Sequence, residues 1–216
     1  PQVLSVPQLV APATVESRPQ LPSFLYLRSE HEADTGNYEL PWQQAEPDAV
    51  GELARQQAAA MPMWTVAAAK SWLCYSRVDR HQPLLPWGAP SEVPKVSPVD
   101  VSRRYLAHLV AAWHHAFPAA PIAEQRVVLT VPASFDASAR ELTREAAHAA
   151  GLPADLILLE EPQAALYAWL ADRGEQWRRH LGVGAALLVC DVGGGTTDFT
   201  LIGVDEAEGA LALQRL

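Results

Sequence analysis

The sequence predicts an α/β protein, and three observations predict it. Beyond Ser97, strand-like and helix-like segments alternate: an apolar β-branched run at 126–131, a helical stretch to Ala150, a second apolar run at 156–159, and a further helix from Pro162. That order favours strands joined through crossover helices. Proline is uneven, with thirteen of eighteen in residues 1–98 and none after Pro162. Short elements and turns should therefore fill the first half and longer regular elements the second. Finally, a buried-strand pattern at 185–191 enters three consecutive glycines and leaves as a second strand at 199–204.

Composition narrows the class. The 216 residues are 49% apolar, which fits a soluble globular chain and excludes disorder and collagen-like repeats. No run of eighteen apolar residues exists, so no membrane span is expected. Sixteen basic against twenty-five acidic residues give a net charge of −9, which argues against nucleic acid as the main partner. Cys74 and Cys190 lie far apart without CxxC spacing, so neither a zinc site nor a disulfide framework is expected. The N-terminus lacks the features of a signal peptide and an initiator Met, so the chain reads as cytoplasmic and as a piece of a longer one. Only Lys70 and Lys95 are lysine, which makes each worth inspecting.

Taken in order, residues 1–22 carry five prolines and read as extended. Residues 23–28 and 38–40 flank Thr35-Gly36-Asn37 and read as strand, turn and strand. Short helices are expected over 51–60 and 65–73, then a Pro/Trp/Gly-rich loop over 81–94. Ser97 can cap a helix with Pro98 at its first position, Asp100 at its positive end, and Leu106, Leu109, Val110, Trp113 and Phe117 at helical spacing before Pro118. His108, His114 and His115 ride on it in surface or structural roles. The strand at 126–131 suits a sheet covered on both faces. Asp136 can cap the next helix, with Leu142, Ala146, Ala149 and Ala150 as its inner stripe and Gly151 at the left-handed C-terminal position.

The glycine turn carries the chemistry. Asp191-Val-Gly193-Gly194-Gly195-Thr196-Thr197-Asp198 lies between two strands, where glycines harm β-propensity. Without Cβ atoms, however, the turn's N–H groups can converge on a phosphate. Thr196 and Thr197 add hydroxyls, and Asp191 and Asp198 supply hard oxygens for a hydrated Mg²⁺ shared with phosphate. The plain alternative is a glycine hairpin with Asp at its shoulders. This is not a P-loop, because no Gly-Lys-Ser/Thr follows.

DVGGGTTDFTL resembles the second phosphate motif of the actin/Hsp70/sugar-kinase ATPase superfamily. TVPASFDASARELTREAAHAAGL (130–152) with LLEEPQAAL (158–166) resembles the Hsp70 connecting segment, and VGELARQQA and TVAAAKSWL resemble the stretch bearing that family's catalytic lysine. The resemblance implies an actin-like (ribonuclease H-like) α/β fold. Residues 1–182 would form lobe I of the nucleotide-binding domain, and 183–216 would open lobe II. It implies that Lys70 reaches the γ-phosphate, that Glu161 orders water and metal, and that Thr196 sits beside the γ-phosphate. Whether Glu160 or Glu161 faces inward stays open. Asp191 and Asp198 match the acids that organise Mg²⁺ and K⁺ through water. Gly193, Gly194, Gly195, Thr196 and Thr197 match the nucleotide turn, and Pro132 and Arg140 match residues that relay nucleotide state.

The family's first phosphate turn, Asp-x-Gly-Thr-Thr, is absent from these residues. Thr197 replaces a usual Phe, and the loop at 81–94 is unfamiliar. The expected function is the ATP-binding, ATP-hydrolysing domain of an Hsp70-like chaperone in the stress response, with ATP or ADP and Mg²⁺ as ligands. Unfolded polypeptide or a co-chaperone would be reached through further domains. The competing readings are a non-catalytic nucleotide-sensing scaffold and an actin-like filament protein. The 216 residues by themselves should bind little ATP.

Overall fold

Strand β3 (Leu25–Leu27) anchors the first half of the chain, with all three side chains buried. Its alternating sides feed two clusters. Leu25 and Leu27 join Val66, Ala69, Leu85, Val96 and Val101, while Tyr26 joins Leu9, Tyr38, Ala49, Leu53 and Ala54. A strand buried on both faces needs apolar residues at every position, which Leu-Tyr-Leu provides. The computed structural model describes residues 2–29, 37–42, 48–193, 197–207 and 210–215. The chain packs as two units, 1–127 with 141–156 and 128–140 with 157–216.

In the first unit, β1 (Val6–Ala11) and β2 (Thr14–Arg18) form an antiparallel hairpin. This corrects the extended reading of 1–22. Pro7 is tolerated because the two-stranded sheet consists of edge strands, and Ala13 makes the turn at φ 57°. β3 pairs antiparallel with β4 (Asp48–Val50) and β5 (Thr65–Val66). The expected strand at 38–40 does not form: Asn37 and Tyr38 are turn, and Thr35 and Gly36 lie outside the described residues.

Helix α1 (Glu52–Ala60) starts at Gly51, whose φ of 98° suits glycine. A Cβ there would meet Gln8 Oε1 at 2.6 Å. The close approach has a purpose: the Gln8 side-chain oxygen accepts from the Glu52 N–H at 2.9 Å, and its Nε2 donates to the Gln20 carbonyl at 2.7 Å. A strand residue thus caps the helix. The helix expected over 65–73 divides into β5 and the short α2 (Ala69–Leu73), because β-branched Thr65 and Val66 extend the sheet. The 81–94 loop is tied at its base by the Leu85–Val96 bridge. Helix α3 (Pro98–Ala116) begins as expected, the Asp100 N–H donating to Ser97 Oγ at 3.0 Å.

In the second unit, β6 (Val128–Val131) pairs parallel with β7 (Ile157–Glu160), in register from Val128–Ile157 to Val131–Glu160. The crossover helix α4 (Ala137–Ala149), which belongs to this unit as far as Arg140 and to the first from Glu141, is capped by Asp136, which accepts from the Ala139 N–H at 2.7 Å. Its buried positions are Ala139, Leu142, Ala146 and Ala147. Ala149 and Ala150 are not buried, since the apolar stripe drifts off as the helix ends. Gly151 has φ 93°, and the Leu152 N–H returns to the Ala147 carbonyl at 3.1 Å, closing the helix.

Helix α5 (Glu161–Arg173) follows directly and packs on β7 and β8. A separate antiparallel sheet contains β8 (Ala186–Val192), β9 (Thr197–Ala207) and β10 (Ala210–Arg215), with β9 central. The expected full burial of these strands is not met. Val128 and Ile157 are exposed opposite one another, as are Leu188 and Leu201. Sheets of two and three strands with alternating burial leave one face open.

Candidate functional site

The β8–β9 register sets Asp191 directly opposite Asp198, with Val192 and Thr197 as the last pair before the turn. Two carboxylates opposed on one sheet face repel. Asp198 is buried, and its Oδ2 lacks a hydrogen-bond partner. Asp191 is half-buried beside it. Folded proteins meet a buried carboxylate oxygen of this kind with water or an ion, and two carboxylates completed by water and phosphate oxygens form the donor set Mg²⁺ prefers. Among the described residues, no cluster of three His, Cys, Asp or Glu could hold a metal by itself. The pair therefore fits a hydrated cation rather than a protein cage. Gly193 and Thr197 are exposed at the turn's shoulders. Gly194, Gly195 and Thr196 lie outside the described residues.

A second group forms where β6 and β7 end. Pro132 follows β6 and is fully buried, and its carbonyl accepts from the Phe135 N–H at 3.2 Å. Arg140 reaches back from α4: its Nε donates to the Phe135 carbonyl at 3.1 Å, and its Nη2 donates to Glu160 Oε1 at 2.7 Å. Glu160 is thereby committed to Arg140. Glu161 is the first residue of α5, half-buried. Lys70 belongs to the first unit, half-buried on α2. Pro132, Arg140, Glu160, Glu161, Asp191 and Asp198 all belong to the second.

The 41–214 segment matches the family model described as Hsp70 protein. The chain belongs to the Hsp70 family. The resemblance drawn from its motifs, to an Hsp70-type nucleotide-binding domain fragment, is borne out by this match and by the curated relatives. Chaperone protein HscA of Xenorhabdus nematophila is 33% identical over 202 residues, 88% of this chain and 28% of the relative. Chaperone protein HscA of Photorhabdus laumondii is 35% identical over 165 residues, 71% of this chain and 25% of the relative. Heat shock 70 kDa protein BIP3 of Oryza sativa is 34% identical over 176 residues, 72% and 24% of the two chains. This Hsp70-family chain thus spans about a quarter of the length of these relatives.

Two features escaped the sequence reading. Thr200 is buried on the same face of β9 as Asp198, and its hydroxyl also lacks a partner; the spacing of two along a strand was the available signal. In the first unit, a cavity of about 240 Å³ is lined by Leu9, Tyr38, Trp42, Ala49, Arg104 and His108, among others. His108 Nε2 lies 2.9 Å from the Pro7 carbonyl, and Trp42 packs edge-on to its ring at 5.3 Å. Burial holds this imidazole below its ordinary pKa, partly offset by the bond to Pro7. Among the described residues, no helix is long and apolar enough to cross a membrane.

Proposed function

We propose that this chain is part of the ATP-binding, ATP-hydrolysing domain of an Hsp70-like chaperone. Residues 1–182 would contribute lobe I and 183–216 the opening of lobe II. The observation that carries the reading is Asp191 opposed to the buried Asp198 at a glycine turn, in a chain of the Hsp70 family. The two carboxylates hold a hydrated Mg²⁺, with K⁺ as a further cation, and the glycine N–H groups with Thr196 and Thr197 receive phosphate. When bound, Mg²⁺ neutralises charge on the phosphate oxygens. Lys70 supplies a cation toward the γ-phosphate.

Glu161 orders water and metal near the phosphates, as the family resemblance implies, and Glu160 pairs with Arg140. Arg140 and Pro132 join the ends of β6 and β7 and so are placed to relay nucleotide state. The relatives' names, a chaperone and a heat shock protein, support chaperone work; a place in the stress response and the cytoplasm, with unfolded polypeptide or a co-chaperone as partners, extends that reading. The test is single-turnover hydrolysis of MgATP by the full-length protein and its Asp198→Asn variant. Loss of hydrolysis by at least about tenfold in the variant supports the reading. Nucleotide binding with hydrolysis at background in the unaltered protein would turn it toward a nucleotide-sensing scaffold.

A further inference from the structure

Thr200 and Asp198 stand two residues apart on the buried face of β9, and each leaves an oxygen unpartnered. Asp198 Oδ2 and Thr200 Oγ1 are both enclosed without a hydrogen bond, and the residues are 9% and 5% exposed. Leaving such groups unsatisfied is costly, and native proteins resolve it with water or ions. Along a strand, i and i+2 side chains stand roughly 6.6 Å apart. One water spans at most about 5.6 Å between two oxygens, so a single water joins them when the two side chains lean toward each other along the strand. The chemistry is complementary: a carboxylate oxygen only accepts, whereas a hydroxyl both donates and accepts. Across the ladder, Asp191 faces Asp198, whereas Thr200 faces Val189, which offers no polar group. Of the two side chains flanking Thr200 on this face of β9, Ile202 is apolar and Asp198 is the carboxylate.

We propose that Thr200 is a positioning residue of the Asp191–Asp198 cation site, its hydroxyl holding a water of the cation's shell against Asp198 Oδ2. This rests on the reading of the two carboxylates as a cation site, and it gives a task to a residue of the phosphate motif to which that reading assigns none. Thr200 fixes the rotamer of Asp198 and the place of one shell water; it touches neither nucleotide nor reacting atoms.

The test is the thermal midpoint of the chain in choline chloride, KCl and MgCl₂ at matched ionic strength. A cation at about ten times its dissociation constant raises the midpoint of a domain this size by about 3–6 °C. Unaltered protein should show that increment, and Asp198→Asn should lose it. Thr200→Val should melt at or above the unaltered protein in choline, because a buried orphan hydroxyl has been replaced by an isosteric methyl. It should nonetheless lose at least half of the cation increment. Thr200→Ser, which restores the hydroxyl, should regain it. Should Thr200→Val fail to fold, Thr200→Ala is judged by the same rule. A full increment in Thr200→Val alongside its loss in Asp198→Asn overturns the role of Thr200 and leaves the carboxylate site standing. An increment that survives Asp198→Asn, or none in the unaltered protein, overturns both.

Discussion

Arg140 and Glu160 meet in a 2.7 Å ion pair, half-shielded from solvent, that links the start of helix α4 to the end of strand β7. The same guanidinium donates through Nε to the Phe135 carbonyl, so one side chain clamps the turn after β6 and the last residue of β7. Because both partners are partly buried, the pair should exceed an exposed salt bridge. Arg140→Ala should cost about 1–2 kcal/mol, and a double-mutant cycle with Glu160→Gln should give a coupling of about 0.5–1.5 kcal/mol. Urea titration supplies both values. A coupling under about 0.3 kcal/mol would show that the two side chains contribute independently.

Gly51 makes a sharper prediction about backbone. At φ 98° it occupies a region that alanine avoids, and its missing Cβ leaves room for Gln8. Gly51→Ala should lose about 1–3 kcal/mol through strain and displacement of the Gln8 cap. Gln8→Leu should lose a similar amount by another route, stranding the Glu52 N–H and the Gln20 carbonyl. The double variant should fall well short of the sum, since both disrupt one cap. Additive losses in chemical denaturation would separate the two residues.

Two histidines titrate in opposite senses. His81 Nε2 bonds Glu145 at 3.0 Å, with Asp79 on its other side at 3.5 Å. The hydrogen bond to the Glu145 carboxylate holds its pKa above the ordinary 6.5, with burial opposing. Its contribution is complete below 6.5 and disappears as pH rises through the raised folded value. Exposure limits it to under about 1 kcal/mol. His108 is the reverse: burial depresses its pKa, so stability declines as pH falls below 6.5 toward the lowered folded value. His81→Gln should flatten the alkaline side of a stability profile between about pH 5 and 8, and His108→Gln the acidic side. Unchanged slopes in both variants would remove these residues from the pH dependence.

Local chemistry was legible in the sequence wherever a cap, a breaker or a period decided the structure. Ser97 and Asp136 cap their helices, Gly151 closes α4, and the two strands around the glycine turn pair antiparallel with Asp191 facing Asp198. Long-range choices were not legible. Pro7 and Pro12 concealed the β1–β2 hairpin, because proline's cost depends on whether a strand is an edge. The partner of β3 was misplaced because a three-residue strand carries too little pattern to select 48–50 over 38–40. Glu160 and Glu161 are equivalent as residue types, and the pairing of Glu160 with Arg140, twenty positions upstream, is a long-range contact that no local pattern carries.

Lys70 is the residue whose removal should divide turnover from binding. An ammonium beside the γ-phosphate stabilises charge that develops in the transition state, so it should matter more to turnover than to ground-state affinity. Losing one preorganised donor of this kind costs about 10²–10³ in rate, or roughly 3–4 kcal/mol. In the full-length protein, Lys70→Ala should therefore nearly abolish single-turnover ATP hydrolysis while ADP affinity stays within about threefold, roughly 0.7 kcal/mol. Lys95 is the informative comparison, since its Nζ donates to the Pro86 carbonyl at 3.1 Å and pins the 81–94 loop. Lys95→Ala should lower the melting temperature slightly and leave hydrolysis at the parental rate, so a loss confined to Lys70→Ala cannot come from loop stability. If Lys70→Ala also hydrolyses ATP at the parental rate, the lysine has no catalytic task, and the charge at the γ-phosphate must be met by the cation and the turn alone.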